Sequence, residues 1–102
     1  MFRRGVGIVL GGAGGIGRQC VEKCVKCGMN VAFMDINKTA GKKLKAMLDE
    51  KYGVNVFFFH GDAKKEEDKE LFERAVFAMY GRIDFLFSNV SSYVLDYKSN
   101  AN

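Results

Sequence analysis

The stretch VLGGAGGIGRQC, which begins at Val9, holds five glycines within the seven positions 11–17. An apolar run precedes the glycines and a segment of helical composition follows, so they lie in a strand-to-helix turn. Two glycine templates fit the turn: G-x-G-x-x-G at Gly12, Gly14 and Gly17, and G-x-x-x-G-x-G at Gly11, Gly15 and Gly17. Such a turn collects backbone N–H groups at the positive end of a helix dipole. It predicts an α/β fold with a phosphate site.

Four short apolar runs alternate with helical segments along the rest of the chain. The runs cover residues 5–10, 30–35, 55–61 and 84–88, and each is nearly continuous, which is typical of parallel strands covered on both faces. Segments 38–52 and 66–80 have apolar residues at helical spacing and charged residues on the opposite side. Glycines that can close a helix follow three segments, at Gly28, Gly53 and Gly81.

This order predicts an α/β, Rossmann-like, doubly wound parallel sheet, truncated to about four strands and three to four helices. We expect residues 1–91 to form a dinucleotide-binding half domain and residues 92–102 to form a short tail or partial helix. The chain of 102 residues is 48% hydrophobic and contains no proline, as expected for a globular domain.

Charge and hydropathy exclude several classes of partner. The net charge is +4, but the basic residues are interleaved with acids, as in segment 64–70, so we expect no nucleic-acid partner. No run approaches the roughly 18 apolar residues that span a membrane. We therefore expect no membrane partner and a cytoplasmic protein.

Three cysteines, Cys20, Cys24 and Cys27, have spacings that place them along one side of a helix. A metal or redox site is one interpretation of this pattern. We favour a structural role and predict no metal, because no second cysteine pair completes a four-ligand set and the single histidine, His60, is distant in sequence.

Asp35 ends the second predicted strand, where a carboxylate can accept hydrogen bonds from the hydroxyl groups of an adenosine ribose. A phosphate at the 2′ position would meet this carboxylate as a like charge, and neither Gly14 nor Ile36 supplies a cation. The pattern therefore favours NAD over NADP. The alternative interpretation is an acid that stands before the helix of residues 38–52.

Asp62 follows the third predicted strand and should lie at the same sheet edge. Its carboxylate can accept a hydrogen bond from an adenine amino group, or it can be the N-cap of a helix that begins near Glu66. A methyltransferase that binds S-adenosylmethionine is an alternative for the whole arrangement. Such enzymes usually have an acid just before the glycines, where this chain has Val9 and Leu10.

Residues 5–91 resemble the short-chain dehydrogenase/reductase family, and within it the NAD-using branch. The family pattern of a glycine, three residues and Gly-Ile-Gly is met by Gly11 and residues 15–17, with Leu10 in the place of the usual threonine. The stretch IDFLFSNVSS resembles the family's D-x-L-x-N-N-A-G, with Asp84, Leu86 and Asn89 in place. The departures are Ser88, Val90 and Ser91, and the last two are expected to crowd the backbone beside the nicotinamide.

The resemblance implies NAD as cofactor, with Asp35 at the adenosine ribose and Asp62 with Ala63 at the adenine. The complete predicted cofactor-binding set is Gly11, Gly14, Gly15, Ile16, Gly17, Asp35, Ile36, Asp62, Ala63 and Asn89.

The resemblance also implies hydride transfer between a nicotinamide and an alcohol or carbonyl group. Family members use a serine, a tyrosine and a lysine four positions after that tyrosine. The residues four positions after the tyrosines of this chain are Val56, Asp84, Tyr97 and Ala101. We therefore predict the NAD-binding portion of an oxidoreductase, with no catalytic residue of its own in this chain.

The alternative is a non-catalytic interaction protein that pairs with itself or with a full-length relative. The fourth strand is expected to form an open sheet edge, where Phe85 and Phe87 would be exposed.

Overall fold

The computed structural model describes residues 4–89. Strands and helices alternate strictly along this part of the chain. In order they are β1 (Val6–Leu10), α1 (Gly15–Lys26), β2 (Asn30–Asp35), α2 (Lys38–Tyr52), β3 (Phe57–His60), α3 (Glu66–Tyr80) and β4 (Phe85–Ser88). The predicted α/β class and element order are confirmed. The predictions for residues 90–102, including those for Val90 and Ser91, lie outside the described residues.

Glycine ends the two long helices at the predicted positions. Gly53 and Gly81 are the C-cap residues of α2 and α3, with φ values of 63° and 76°. Gly28 follows the C-cap of α1 and has a φ of 83°. These left-handed conformations cost glycine little, because it has no Cβ to meet the preceding carbonyl.

The four strands form one parallel sheet in the order β3-β2-β1-β4. The chain moves outward from β1 to β2 and β3, and then returns to place β4 on the other side of β1. This reversal creates a crevice at the carboxyl ends of β1 and β4, where open α/β sheets bind ligands. The glycine turn between β1 and α1 lies at this crevice.

Helices cover both faces of the sheet, which explains why the strands are apolar without alternation. One core cluster joins α1 and α2 to the sheet and includes the fully buried Val9, Phe33 and Leu48. The other joins α3 to the opposite face and includes Ile8 and Phe72. Full burial of each of these side chains contributes about 1.5–3 kcal/mol.

Strand β3 begins later than the predicted residue 55. It pairs with β2 only from Ala32↔Phe57 to Asp35↔His60. The backbone of Val56 is instead held by side chains of α2: Asp49 accepts a hydrogen bond from its N–H at 2.7 Å, and the Lys45 ammonium donates to its carbonyl at 2.7 Å.

Strand β4 has a strand neighbour on one side only among the described residues, as predicted. Leu86 is 54% exposed and Phe85 is 41% exposed. Phe87 is half-buried because it packs against the cluster under α1, so its predicted exposure is only partial. Asp84 attaches the start of β4 to β1, since its Oδ2 accepts the Val6 N–H at 2.8 Å.

The three cysteines differ in environment although they share one helix region. Cys24 is buried in the core, Cys20 is half-buried and Cys27 is exposed. Burial raises the pKa of the Cys24 thiol to about 11. Within residues 4–89, no group of three or more His, Cys, Asp and Glu side chains is arranged to hold a metal ion. In the same part of the chain, every helix is too short or too polar to cross a membrane.

Candidate nucleotide-binding site

The glycine turn is held against the end of β2 by its own backbone. The N–H groups of Gly11 and Gly12 both donate to the Met34 carbonyl, at 2.7 and 3.2 Å. Gly11 has a φ of 78°, and a methyl group on Gly12 would lie 2.7 Å from the Phe33 Cβ. A side chain at either position would therefore displace the turn from the sheet.

Gly17 allows α1 to approach the turn. A methyl group on Gly17 would overlap the carbonyl oxygen of Gly11 and would lie 3.2 Å from the Asn89 side-chain nitrogen. Asn89 itself is fixed by its N–H, which donates to the Leu10 carbonyl at 2.8 Å. Glycine at this position thus brings the start of α1, the turn and the end of β4 together.

The first turn of α1 lacks the partners that usually satisfy a helix N-terminus. Its N-cap residue is Gly14, which has no side chain to accept a hydrogen bond, and its first turn contains no acid. In contrast, the Asn37 side chain caps α2 by accepting the Ala40 N–H, and three acids occupy the first turn of α3. A Cβ on Gly14 or Gly15 would meet nothing within 4 Å. The positive end of α1 is therefore open to an anion.

Asp35 connects the glycine turn to the turn before α2. Its Oδ2 accepts the Ala13 N–H at 2.9 Å and its Oδ1 accepts the Asn37 N–H at 2.8 Å. The second contact agrees in part with the alternative of an acid that stands before α2, although the N-cap is Asn37. Each carboxylate oxygen has further lone-pair capacity, so Asp35 can accept hydrogen bonds from a ligand as well.

Asp62 lies in the loop between β3 and α3. Its Oδ1 accepts the Lys64 N–H at 2.9 Å, and its carbonyl accepts the Lys65 N–H at 2.9 Å. The residue at the N-cap of α3 is Lys65, so the alternative of Asp62 as N-cap is wrong. His60 is exposed at the end of β3, and its Nε2 lies 3.1 Å from the Ile36 carbonyl oxygen, consistent with a strand-end residue.

One pocket of about 360 Å³ lies between these strand ends, within the usual size range of ligand sites, roughly 300–1,000 Å³. Seven of the ten predicted site residues line it: Gly11, Gly14, Asp35, Ile36, Asp62, Ala63 and Asn89. Gly15, Ile16 and Gly17 lie beside the pocket, in the first turn of α1. The sequence prediction missed Met34, Gly61 and Lys64, which also line it. For Met34 and Gly61, the position at a predicted strand end was the available signal.

Ser88 is the departure within the stretch IDFLFSNVSS that lies among the described residues. Its hydroxyl oxygen is buried and has no hydrogen-bond partner among residues 4–89. Ser88 pairs in register with Leu10, one residue before the glycine turn. The substitution therefore leaves a polar atom unsatisfied close to the site, within the part of the chain that the structure describes.

Comparisons with known proteins agree with this geometry. The family model for short chain dehydrogenase matches residues 6–101. The chain is 38% identical over 84 residues to 2,5-dichloro-2,5-cyclohexadiene-1,4-diol dehydrogenase from Sphingobium indicum, which is 82% of this chain and 32% of that protein. It is 36% identical over 85 residues to bovine 15-hydroxyprostaglandin dehydrogenase, whose name specifies NAD(+), with the same shares of the two chains.

A crystal structure of NAD+-bound xylitol dehydrogenase matches with a TM-score of 0.78 and 32% identity, over 87% of this chain and 34% of that one. The chain spans about a third of the length of these relatives. These matches give no support to the methyltransferase alternative. The family match, the sheet order and the glycine turn agree, and the chain belongs to the short-chain dehydrogenase family, whose members bind nicotinamide dinucleotide cofactors.

Proposed function

We propose that this chain binds NAD in the pocket at the strand ends and forms the cofactor-binding part of an oxidoreductase that acts on alcohol or carbonyl groups. The observation that carries the proposal is the Asp35 carboxylate, which lies 2.9 Å from the Ala13 nitrogen of the glycine turn and lines the pocket. This contact supports the proposal because it brings the carboxylate that would bind the ribose next to the turn that would bind the phosphates.

The start of α1 would hold the pyrophosphate. The N–H groups of its first turn, at Gly15, Ile16 and Gly17, lack a side-chain cap, and no acid of that turn competes for them. The space above Gly14 and Gly15 is open. A diphosphate there would accept hydrogen bonds from the backbone and would be stabilised by the helix dipole.

Asp35 and Asp62 would bind the adenosine. The Asp35 carboxylate accepts from ribose hydroxyl groups, and its negative charge disfavours a 2′-phosphate, which supports NAD over NADP. Asp62 also lines the pocket, and its carboxylate can accept a hydrogen bond from the adenine amino group.

The nicotinamide of such a cofactor carries the hydride, while the protein supplies binding, orientation and proton transfer. None of the tyrosines of this chain has a lysine four positions later. We therefore propose that these 102 residues hold the cofactor and do not supply the Tyr–Lys pair that exchanges the hydroxyl proton in the family.

Titration with NADH and NADPH, followed by ligand fluorescence, tests the proposal. We expect tighter binding of NADH, and we expect Asp35→Asn to weaken NADH binding and to reduce the preference over NADPH. Glu50→Gln is the matched control, because Glu50 is an exposed acid of α2 outside the pocket and its loss changes the net charge equally. The proposal fails if NADH does not bind, or if Asp35→Asn behaves like Glu50→Gln.

Exposure of Phe85 and Leu86 favours a second candidate role, self-association through the edge of β4. Light scattering after size-exclusion chromatography distinguishes this role. A dimer that Leu86→Thr converts to a monomer supports it, and an ordered monomer of the unsubstituted chain contradicts it.

A further inference from the structure

Asp68, in the first turn of α3, contacts the loop that carries Asp62. Its Oδ2 accepts the Asp62 N–H at 2.8 Å, in a half-buried position. This contact spans six residues and runs from the helix back to the end of β3. Asp68 does not itself line the pocket, and the hydrogen bond that it accepts from Asp62 connects it to the pocket lining.

The hydrogen bond that Asp62 donates to Asp68 is one of three that hold Asp62 in place. The Asp62 N–H is held by Asp68, its carbonyl by the Lys65 N–H, and its Oδ1 by the Lys64 N–H. Its Oδ2 is the carboxylate oxygen that keeps no hydrogen-bond partner among residues 4–89. The loop therefore presents one free carboxylate oxygen from a pocket-lining residue whose backbone is held on both sides.

The other two acids of the same turn do not share this contact. Glu66 pairs with Lys69 at 3.3 Å along the helix, and Glu67 is exposed. A general preference for acids at a helix N-terminus accounts for all three residues, but it does not account for the bond from Asp68 to Asp62.

We propose that Asp68 is a positioning residue for the adenine end of the cofactor. It holds Asp62 so that the free Oδ2 accepts a hydrogen bond from the 6-amino group of adenine. The inference rests on the proposed NAD-binding function and extends it to the choice of base, because a base with an oxygen at position 6 presents an acceptor to the same carboxylate.

The test compares NADH with the reduced form of nicotinamide hypoxanthine dinucleotide, which has an oxygen in place of that amino group. In the unsubstituted chain we expect NADH to bind more tightly. Asp68→Ala should weaken NADH binding about tenfold, the effect of losing a hydrogen bond to a charged group. It should leave binding of the hypoxanthine cofactor unchanged, so the preference for adenine falls.

Two further variants separate positioning from a general effect on the fold. Asp68→Asn keeps an oxygen that can accept the Asp62 N–H and should therefore retain the preference for NADH. Glu67→Ala removes an acid from the same turn and should leave that preference unchanged. In the background of Asp62→Ala, the Asp68→Ala change should have no additional effect on the preference.

The outcomes distinguish this inference from the proposed function. Equal weakening of both cofactors by Asp68→Ala, or no change in either, overturns the role of Asp68 and leaves NAD binding intact. Failure of the unsubstituted chain to bind NADH overturns the proposed function, and the inference with it.

Discussion

Replacing Gly14 with aspartate should stabilise the fold and weaken NADH binding at the same time. Gly14 is the N-cap of α1, with φ −138° and ψ 157°, an extended conformation that any residue adopts. A Cβ there would meet nothing within 4 Å. The new carboxylate can therefore accept an N–H of the first turn, from Ile16 or Gly17, without strain.

The expected gain in the free energy of unfolding follows from the side-chain cap and the acid that the first turn of α1 lacks. Replacing a glycine N-cap by a residue whose side chain caps the helix contributes about 0.2–0.5 kcal/mol, and a negative charge at a helix N-terminus contributes about 0.3–1 kcal/mol. Gly14 is exposed, so the lower parts of both ranges apply. We expect Gly14→Asp to raise the free energy of unfolding by about 0.5 kcal/mol. Because the same carboxylate would occupy the proposed place of the pyrophosphate and would repel it, NADH affinity should fall by more than about tenfold.

Urea denaturation followed by circular dichroism measures the first effect, and NADH titration measures the second. Gly14→Ser is the matched control: a neutral cap should stabilise the chain and weaken NADH binding less than aspartate does. A more stable Gly14→Asp variant that binds NADH with unchanged affinity would refute the assignment of the α1 start to the phosphates. A less stable Gly14→Asp variant would refute the claim that the start of α1 lacks a capping side chain and a compensating acid.

Three further predictions concern packing, a polar network and a thiol. Gly17→Ala should lower the free energy of unfolding by about 1–2 kcal/mol in urea denaturation, because overlap with the Gly11 carbonyl exceeds the gain of about 1 kcal/mol in helix propensity; unchanged stability contradicts the close contact. Lys45→Met removes three ammonium hydrogen bonds of 2.7–2.9 Å and should cost about 1 kcal/mol, since this side chain is 36% exposed; a neutral effect in the same assay contradicts this expectation. Alkylation followed by mass spectrometry should modify Cys27 well before Cys24, whose pKa is raised by burial to about 11, and equal alkylation rates contradict the burial. The stability contributed by the protonated Cys24 thiol is present below its ordinary pKa of 9.0 and is lost as the pH rises through about 11.

The secondary structure was predictable wherever its signals are local. Helices α2 and α3 have the predicted bounds, because helical spacing of apolar residues and a closing glycine both depend on neighbouring residues. Strand β3 was predicted too long at its start. The apolar Val56 continues the pattern of the strand, but Lys45 and Asp49 of α2 hold its backbone, and no local pattern reports that competition.

The chemistry of the candidate site was predictable from the sequence, but the residues that line it were predictable only in part. The glycine turn, Asp35 and Asp62 each stand at a strand end, so their position on one sheet edge followed from the order of elements. The contact of Asp68 with Asp62 did not, because an acid in the first turn of a helix has the same sequence pattern whether it faces solvent or holds a loop. Lys64 was missed for a similar reason, since it begins a charged run.

By itself the sequence determined the alternation of strands and helices, the glycines at the start of α1 and the presence of carboxylates at the ends of β2 and β3. Only the tertiary structure decided that the Asp35 carboxylate binds the Ala13 N–H, 22 residues earlier in the chain, and that Asn89 packs against Gly11 and Gly17. Periodicity and capping arise within a few residues of backbone. The distances between strand ends, in contrast, depend on strand order and register, which are set when the helices pack on the two faces of the sheet.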